Sequence, residues 1–296
     1  MADGAVIGGF TDHHVHLQLV DADRLAGGPL GRVVDLGAAV DAIRERAEHD
    51  AERGDRPHVA YAGAFLTPPG GYPSDRSWAP AGSVREIADD VEAESAVVEM
   101  SEAGAAMIKI ASNREAGPVF DDRRIRRIVR IADAHGLPVV AHAEGAGEAA
   151  RMPSLGVRAL AHTPFSERLD DAAIAAHAGS VAWISTLAIH DGAARGIAID
   201  NLRRFHAAGG TVRYGTDMGN GDLPVGLHPG ELDALREAGI AGAALLRALA
   251  PVPATRARRF VLADPAAPLS LTPLPPAMEP STRPEESAHP EEEGRR

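Results

Sequence analysis

Short apolar segments alternate with amphipathic segments along most of this 296-residue chain. Eight of the apolar segments have the length of buried strands, and we predict strands at 6–16, 32–36, 58–65, 105–111, 138–143, 157–162, 180–186 and 211–216. The intervening segments with helical periodicity predict helices at 38–53, 84–103, 121–135, 170–178, 196–208 and 230–249. Because parallel strands are joined by crossover helices, this order predicts an α/β fold, the (β/α)8 TIM barrel.

The composition changes near Phe260, and we predict that the barrel domain covers residues 1–260. Residues 261–296 are rich in proline, contain the acidic cluster Glu291–Glu293 and have almost no aromatic side chains. A segment of this composition cannot bury enough apolar surface to offset the loss of chain entropy on folding. We therefore predict a disordered tail at 261–296.

Composition and charge exclude several classes of function. The chain has no cysteine, which excludes disulfides and thiolate metal ligands, and its net charge of −12 argues against binding of nucleic-acid phosphates. Residues 1–9 lack a basic region followed by an apolar one, and no apolar run reaches membrane-spanning length. We expect a cytoplasmic protein whose partner is a small-molecule substrate, with no nucleic acid and no membrane.

Lys109 is the single lysine of the chain, and arginine supplies the remaining 29 of its 30 basic side chains. It lies inside an apolar run at 105–111, where the ammonium form is costly. A guanidinium stays protonated, whereas a buried lysine can lose its proton and act as a nucleophile. A neutral lysine can also add CO2 to form a carbamate, which can bridge two metal ions. The ordinary alternative is an ammonium paired with a carboxylate.

Other residues with metal-binding side chains end the predicted strands. His14 and His16 are two residues apart on the first strand, so their side chains point to the same face. The other three are His142, His162 and Asp217, each at the carboxyl end of its own strand. A lone histidine of this kind is more often structural than a ligand. In a barrel all these strand ends meet at one rim, so the set together predicts a metal site.

Six stretches of the chain resemble the amidohydrolase superfamily, most closely its Xaa-Pro dipeptidase (prolidase) and imidazolonepropionase-like branch. They are GFTDHHVHL at 9–17, VVDLG at 33–37, MIKIAS at 107–112, GLPVVAHAEG at 136–145, AHTP at 161–164 and YGTD at 214–217. Together they span about residues 5 to 250. The motifs are specific as a set, although each alone is weak.

This resemblance implies a binuclear metal centre with a carboxylated lysine. One metal ion would be held by His14, His16 and Asp217, and the second by His142 and His162, with the Lys109 carbamate shared between them. His13 falls at a variable position of the motif and is not assigned. Histidine ligation favours two zinc ions per chain, and manganese or iron are also compatible with the carboxylate and the carbamate.

The implied reaction is hydrolysis of an amide C–N bond. A hydroxide that bridges the metal ions would attack the carbonyl, and Asp217 would act as general base and then as general acid toward the departing nitrogen. Dipeptides, N-acyl amino acids and cyclic amides are all substrates of this kind.

Substrate recognition is assigned to side chains in the loops at the strand ends. The long loop at 66–83 is expected to move over the site because it contains Gly70 and Gly71. The candidate substrate-binding residues are Tyr72, Arg76, Trp78, Arg114, Arg168 and His190. Each arginine has the geometry to bind a substrate carboxylate through two hydrogen bonds.

Two other functions stay open from the sequence. One is a mononuclear deaminase, or a hydrolase that opens a lactone or imidazolone ring, on the same barrel with Lys109 unmodified. The other is a noncatalytic metal-binding barrel. We also expect the barrel to lack the β-sandwich domain that flanks it in most relatives, and a homo-oligomer would be one way to cover that surface.

Overall fold

The computed structural model describes residues 4–264 and 267–277, which form a mixed α/β fold. Its largest sheet has seven parallel strands in the spatial order β11-β10-β9-β8-β7-β5-β6. These strands are β5 (Phe65–Thr67), β6 (Val84–Glu86), β7 (Ile108–Asn113), β8 (Val139–Glu144), β9 (Ala159–Leu160), β10 (Ala182–Ile184) and β11 (Val212–Arg213). The expected α/β class with a parallel sheet is confirmed.

A second parallel sheet has the order β2-β3-β4, formed by Phe10–Val15, Leu30–Asp35 and His58–Tyr61. Backbone hydrogen bonds connect its outer strands to segments that precede β7 and follow β11 of the larger sheet. The amide of Ala106 donates to the carbonyl of Tyr61 at 2.8 Å. On the other side, the amide of Asp217 donates to the carbonyl of His14 at 2.8 Å, and that of His16 to Met218 at 2.7 Å.

Eight α-helices accompany these strands in the described part of the chain, and they follow the strands in sequence. They are α1 (Val40–Ala51), α2 (Asp90–Glu102), α3 (Asp122–Ala134), α4 (Glu148–Arg151), α5 (Asp171–Ala178), α6 (Gly192–Ala207), α7 (Pro229–Glu237) and α8 (Gly242–Leu249). Carboxylates of Asp89, Asp121 and Asp170 accept backbone amides at the first turns of α2, α3 and α5. Within 4–264 and 267–277, no helix is both long and apolar enough to cross a bilayer.

One apolar cluster contains side chains from strands of both parallel sheets. Its buried members are Val34, Leu36, Ala60, Ala62, Val140, Ala159, Ala161, Ala182 and Ile184, and Met107 packs against it. Many of these are pairs two residues apart, the spacing of side chains on one strand face. Lys109 follows Met107 by two residues, and His142 follows Val140 by two. Both therefore lie on the cluster-facing side of their strands, one layer nearer the carboxyl ends.

Several predicted elements are divided in the structure, mostly at glycines with positive φ. The predicted strand 6–16 breaks at Gly9 (φ +113°), and the strand 58–65 breaks at Gly63 (φ +76°). The predicted helix 230–249 is two helices, because Gly239 (φ +85°) ends the first of them. The helix predicted at 84–103 begins only at residue 90, since residues 84–86 pair with β5 as a strand.

The two ends of the described chain form a third sheet that the sequence analysis did not predict. In it, β12 (Phe260–Leu262) pairs antiparallel with both β1 (Ala5–Ile7) and β13 (Thr272–Pro273). The expected boundary at 260/261 falls inside β12. Its apolar Phe260 and Leu262 are buried. The rest of the expected tail, 278–296, lies outside the described residues.

Arg258 attaches this third sheet to the second parallel sheet and the loops beside it. Its buried guanidinium donates to the carbonyl oxygens of Asp55 at 2.7 Å and Gly28 at 2.6 Å, and also to that of Leu30. Without Arg258, these carbonyl oxygens would be buried with fewer hydrogen-bond donors.

We predict that Arg258→Ala lowers the free energy of unfolding by about 2–4 kcal/mol, because it leaves buried carbonyls without donors. Urea titration of the two proteins measures this difference. The control Arg259→Ala, on the neighbouring and less buried side chain, should stay within about 0.5 kcal/mol of wild type. Equal effects of the two substitutions would contradict the role given to Arg258.

Candidate metal centre

A cavity of about 670 Å³ opens at the carboxyl ends of the parallel strands. It is lined by all six predicted metal-binding residues, His14, His16, Lys109, His142, His162 and Asp217. Further lining comes from strand ends and loops, through Leu19, Phe65, Tyr72, Trp78, Glu144, Phe165, Ile189, His190, Gly219, Asn220, Gly221 and Asp222. The structure thus brings the six residues together, and their role as ligands stays a prediction.

Three buried acceptor atoms lie unusually close together at the floor of the cavity. His14 Nε2 is 3.3 Å from His16 Nε2, and the two nitrogens are 3.1 and 3.2 Å from Asp217 Oδ1. Ligand atoms bound tetrahedrally to one zinc ion at 2.0–2.2 Å lie roughly 3.3 Å apart. The observed spacing therefore fits a single metal ion held by these three side chains.

The hydrogen bonds of the two imidazoles determine which of their nitrogens are free. His14 Nδ1 lies 2.8 Å from the carbonyl oxygen of Ala161, and His16 Nδ1 lies 3.0 Å from that of Gly37. A carbonyl only accepts, so each Nδ1 carries the proton and each Nε2 presents a lone pair. Two lone pairs and a carboxylate oxygen at this separation require a cation among them, either a shared proton or a metal ion.

His162 and His142 lie beside this group. The ring centroid of His162 is 4.8 Å from that of His14 and 4.9 Å from that of His142. His162 Nδ1 is hydrogen bonded to Thr186 Oγ1 at 2.9 Å, which leaves its Nε2 available. His142 differs, because its Nε2 donates to Glu144 Oε2 at 2.9 Å and its Nδ1 is the bare nitrogen.

Lys109 is only 1% exposed, although its side chain reaches the cavity wall. Burial lowers the pKa of its amine to about 7, while the charges of Asp217 and Asp35 oppose that shift. Across residues 4–264 and 267–277, no carboxylate lies within ion-pair distance of this amine. The ordinary interpretation of Lys109 as a paired ammonium therefore finds no support among the described residues.

Two buried aspartates hold the backbone around the histidines. Asp35 accepts the amides of Leu17 at 2.7 Å and Gly37 at 2.9 Å, which fixes the carbonyl that orients His16. Asp12 accepts the amide of His14 at 3.0 Å and the hydroxyl of Thr216 at 2.6 Å. These contacts join the first strand to the segment of Asp217.

Asp217 adopts φ +57°, a left-handed conformation that non-glycine residues rarely take. Its Oδ2 accepts a hydrogen bond from Asn220 Nδ2 at 2.8 Å, while Oδ1 faces the two histidines. Burial alone would raise the pKa of Asp217, but the neighbouring His14, His16 and His162 hold it well below its usual range. The carboxylate is therefore ionised and has one oxygen for the proposed metal ligand set.

The predicted substrate-binding residues divide into two groups. Tyr72, Trp78 and His190 line the cavity. The three predicted arginines are not among the residues that line it, and their contact with a substrate stays a prediction. Arg114 binds buried Glu148 through Nε at 2.8 Å, and Arg168 is 62% exposed and pairs with Asp200 at 2.9 Å.

Arg76 is not among the residues that line the cavity; its guanidinium carbon lies 5.7 Å from the ring centroid of Tyr72, and its Nε lies 3.2 Å from Asp75 Oδ1. As with the other two arginines, its positive charge is paired with a nearby carboxylate. Sequence reasoning gave no signal for this pairing, because the acidic partners are distant along the chain in two of the three cases.

Sequence reasoning also missed residues that line the cavity. Glu144 was noted only as part of the motif around His142, and Phe65 and Phe165 were not singled out. The segment 219–222 follows Asp217 directly and contributes Asn220 and Asp222 to the lining. Glycine and polar residues that follow the end of a strand are typical of a loop, so the sequence did indicate a loop at this position.

Comparison with known proteins gives a likeness of fold. No protein-family profile matches the chain, and no curated protein sequence matches it. A solved Xaa-Pro dipeptidase with methionine in its active site is 19% identical, with a TM-score of 0.65 over 83% of this chain and 74% of that one. A putative prolidase from Bifidobacterium longum is 22% identical, with a TM-score of 0.65 over 82% and 68% of the two chains.

An adenosine deaminase from Xanthomonas campestris with bound zinc is 16% identical, with a TM-score of 0.54 over 83% of this chain and 68% of that one. At these identities the likeness shows the fold alone. The dipeptidase and prolidase are of the branch that the motifs indicated, so the predicted resemblance is confirmed at the level of the fold.

Glu231 supports the cavity loop from behind. Its Oε2 accepts the amide of Ala188 at 2.7 Å, two residues before His190, and its Oε1 is buried without a partner among the described residues. Burial raises the pKa of this carboxyl to about 7, opposed by hydrogen bonds from Ser185 and the backbone. Because the folded-state pKa is raised, ionisation of Glu231 destabilises the fold as pH rises through that value.

We predict that Glu231→Gln gains stability relative to wild type as the pH rises from about 5 to about 8, by at most on the order of 3 kcal/mol. Chemical denaturation at both pH values measures the difference. The control Glu237→Gln removes an exposed carboxylate of the same helix that pairs with Arg195, and should show no such gain. A pH-independent difference for Glu231→Gln would contradict the raised pKa.

Proposed function

We propose that this chain is a metal-dependent amidohydrolase that hydrolyses an amide bond of a small substrate, such as a dipeptide, an N-acyl amino acid or a cyclic amide. The observation that carries the proposal is the convergence of four histidines, Asp217 and an unpaired lysine amine on one cavity. Such a group of buried acceptors has no structural explanation as ordinary core packing.

We infer that the two parallel sheets form one closed (β/α)8 barrel. Backbone hydrogen bonds join β4 to the segment before β7, and others join β2 to residues 214–218. The apolar cluster with members from both sheets also supports closure. Closure would place every strand end at one rim, which is where barrels of this class carry their chemistry.

We propose that the residues of the cavity hold two metal ions. His14, His16 and Asp217 would hold one, and His142 and His162 the other, with Lys109 as a carbamate shared between them. The amine of Lys109 is suited to this modification because its lowered pKa leaves a large neutral fraction near pH 7. The histidine and carboxylate ligands favour zinc and are compatible with manganese or iron.

When bound, divalent metal ions would supply an activated water and polarise the substrate carbonyl. Asp217 would take up the proton released on attack and deliver it to the departing nitrogen, because its Oδ1 lies at the centre of the ligand group. Asn220 holds the other carboxylate oxygen and so keeps Asp217 in place. The aromatic side chains at the cavity mouth would limit access of solvent water.

A mononuclear deaminase on the same fold is the second candidate, favoured by Glu144 beside His142. In that function Glu144 would transfer protons and Lys109 would have no task. The unpaired amine of Lys109 at the cavity wall is the reason to prefer the binuclear hydrolase.

We predict that reconstitution with zinc gives about two metal ions per chain, and that Lys109→Arg lowers this to about one or fewer, because a guanidinium cannot form a carbamate. Elemental analysis of the desalted proteins measures the content. His190→Ala is the matched control, since His190 lines the cavity without being a proposed ligand, and it should keep the wild-type content. Two metal ions in Lys109→Arg would rule out a lysine-bridged pair.

We predict that the metal-loaded protein hydrolyses a member of a panel of dipeptides, N-acyl amino acids and small lactams, and that Asp217→Asn lowers kcat on that substrate by about 10²–10⁴-fold. The amide keeps an oxygen toward the histidines but cannot accept the proton. Metal content is measured in parallel to separate loss of metal from loss of proton transfer. No turnover on the whole panel, or a kcat within a few-fold of wild type in Asp217→Asn, would count against the proposal.

A further inference from the structure

The cavity contains no arginine among the described residues that line it, although the chain has 29 arginines in its 30 basic side chains. The three arginines expected to bind a substrate carboxylate are instead paired with Glu148, Asp200 and Asp75. Outside the proposed metal ligands, the ionisable acids of the lining are Glu144 and Asp222. The wall beyond the metal centre therefore has no fixed cation for a carboxylate and has carboxylates of its own.

Glu144 is held in a fixed position with one oxygen free. Its Oε2 accepts from Asn113 Nδ2 at 2.6 Å and from His142 Nε2 at 2.9 Å. Asn113 is itself fixed, because its Oδ1 accepts the amides of Glu115 at 3.1 Å and Ala116 at 3.0 Å. Within the described parts of the chain no hydrogen bond uses Glu144 Oε1, although the side chain is only 24% exposed.

Aromatic rings cover the cavity near this carboxylate. The rings of Tyr72 and Trp78 have centroids 6.1 Å apart, and Tyr72 lies 5.3 Å from His142. Phe165 and His190 form a second pair with centroids 4.2 Å apart. Trp78 is 39% exposed, one of few large apolar side chains left open to solvent in the described chain. Rings of this kind bind apolar or aromatic groups and also attract cations to their faces.

We infer that Glu144 is a specificity-determining residue and that the substrate carries a cationic group, an ammonium or guanidinium, attached to an apolar or aromatic portion. The free Oε1 of Glu144 accepts the cation, and the rings around Tyr72 and Trp78 pack against the apolar portion. Among the proposed substrate classes, this favours amides that carry a cationic group. The identity of the substrate class rests on the proposed hydrolase function, whereas the preference for a cation is a property of the cavity alone.

A matched pair of probes tests this preference without any turnover. 3-Phenylpropylamine and 3-phenyl-1-propanol have the same shape and differ in charge at pH of about 7. Binding to the metal-loaded protein is followed by the fluorescence of Trp78, because the other tryptophan, Trp183, is fully buried and stacked on Phe205. The Trp78→Phe variant should lose this signal. The amine should bind about 10- to 100-fold more tightly than the alcohol, as a charge-assisted hydrogen bond allows.

Glu144→Gln should reduce this preference to within about threefold, since the amide keeps its shape but loses its charge. Asp222→Asn is the control, because Asp222 is exposed and its charge is screened by solvent, and it should keep most of the preference. Thermal unfolding of each variant confirms that the fold is retained. Equal binding of amine and alcohol to wild type, or a preference that survives in Glu144→Gln, would overturn the inference.

Kinetics on a hydrolysed substrate separate recognition from proton transfer. Glu144→Gln should raise KM for a cationic amide by at least about tenfold while leaving KM for its neutral isostere within a few-fold. A fall in kcat that is equal for both substrates would instead assign a proton-transfer role and overturn the inference. Amine preference without hydrolysis would defeat the proposed function alone, and hydrolysis without amine preference would defeat this inference alone.

Discussion

The approach of His14 Nε2, His16 Nε2 and Asp217 Oδ1 to within 3.1–3.3 Å of one another is the constraint on which the rest of the site depends. All three side chains are buried, so solvent cannot relieve the repulsion between two lone pairs and a carboxylate oxygen. A proton can satisfy one pair of these atoms, but a metal ion satisfies all three. The geometry therefore suits the proposed metal ligand set.

The surrounding fold maintains this arrangement through backbone groups from several distant segments. The carbonyls of Ala161 and Gly37 fix the tautomers of the two histidines, and Asp12 and Asp35 hold the backbone around them. The small side chains of the apolar cluster, many of them alanines, leave room for the longer Lys109 and the histidines in the layer above. The Nδ1 atoms of the two histidines and Oδ2 of Asp217 thus have defined partners, which holds the three proposed ligand atoms in place.

Much of this arrangement could be predicted from the sequence. The period-two spacing of His14 and His16, and the position of His142, His162 and Asp217 at strand ends, follow from elementary strand geometry. The lone lysine was informative because arginine replaces lysine everywhere else in the chain. These signals lie in short stretches of sequence, and they were enough to predict that the six residues lie together at one site.

The side chains that set specificity could not be predicted in the same way. Arg114, Arg168 and Arg76 were candidates for substrate contact, but each has an acidic neighbour, and the partners of Arg114 and Arg168 lie more than 30 residues away along the chain. The fixed position of Glu144 depends on Asn113, which donates to one of its oxygens and lies 31 residues earlier in the chain. The third sheet was also missed, because strands as short as β1 and β12 have too few residues for a period to be read.

The most direct test of the account is the chemical state of the Lys109 side chain in the metal-loaded protein. We would prepare it in 13C-labelled bicarbonate and record its 13C NMR spectrum beside that of Lys109→Arg. The account predicts a carbamate resonance in the wild-type protein that is absent from the variant and disappears when a chelator removes the metal. Two bound metal ions without such a resonance, or a resonance of equal intensity in the variant, would contradict it.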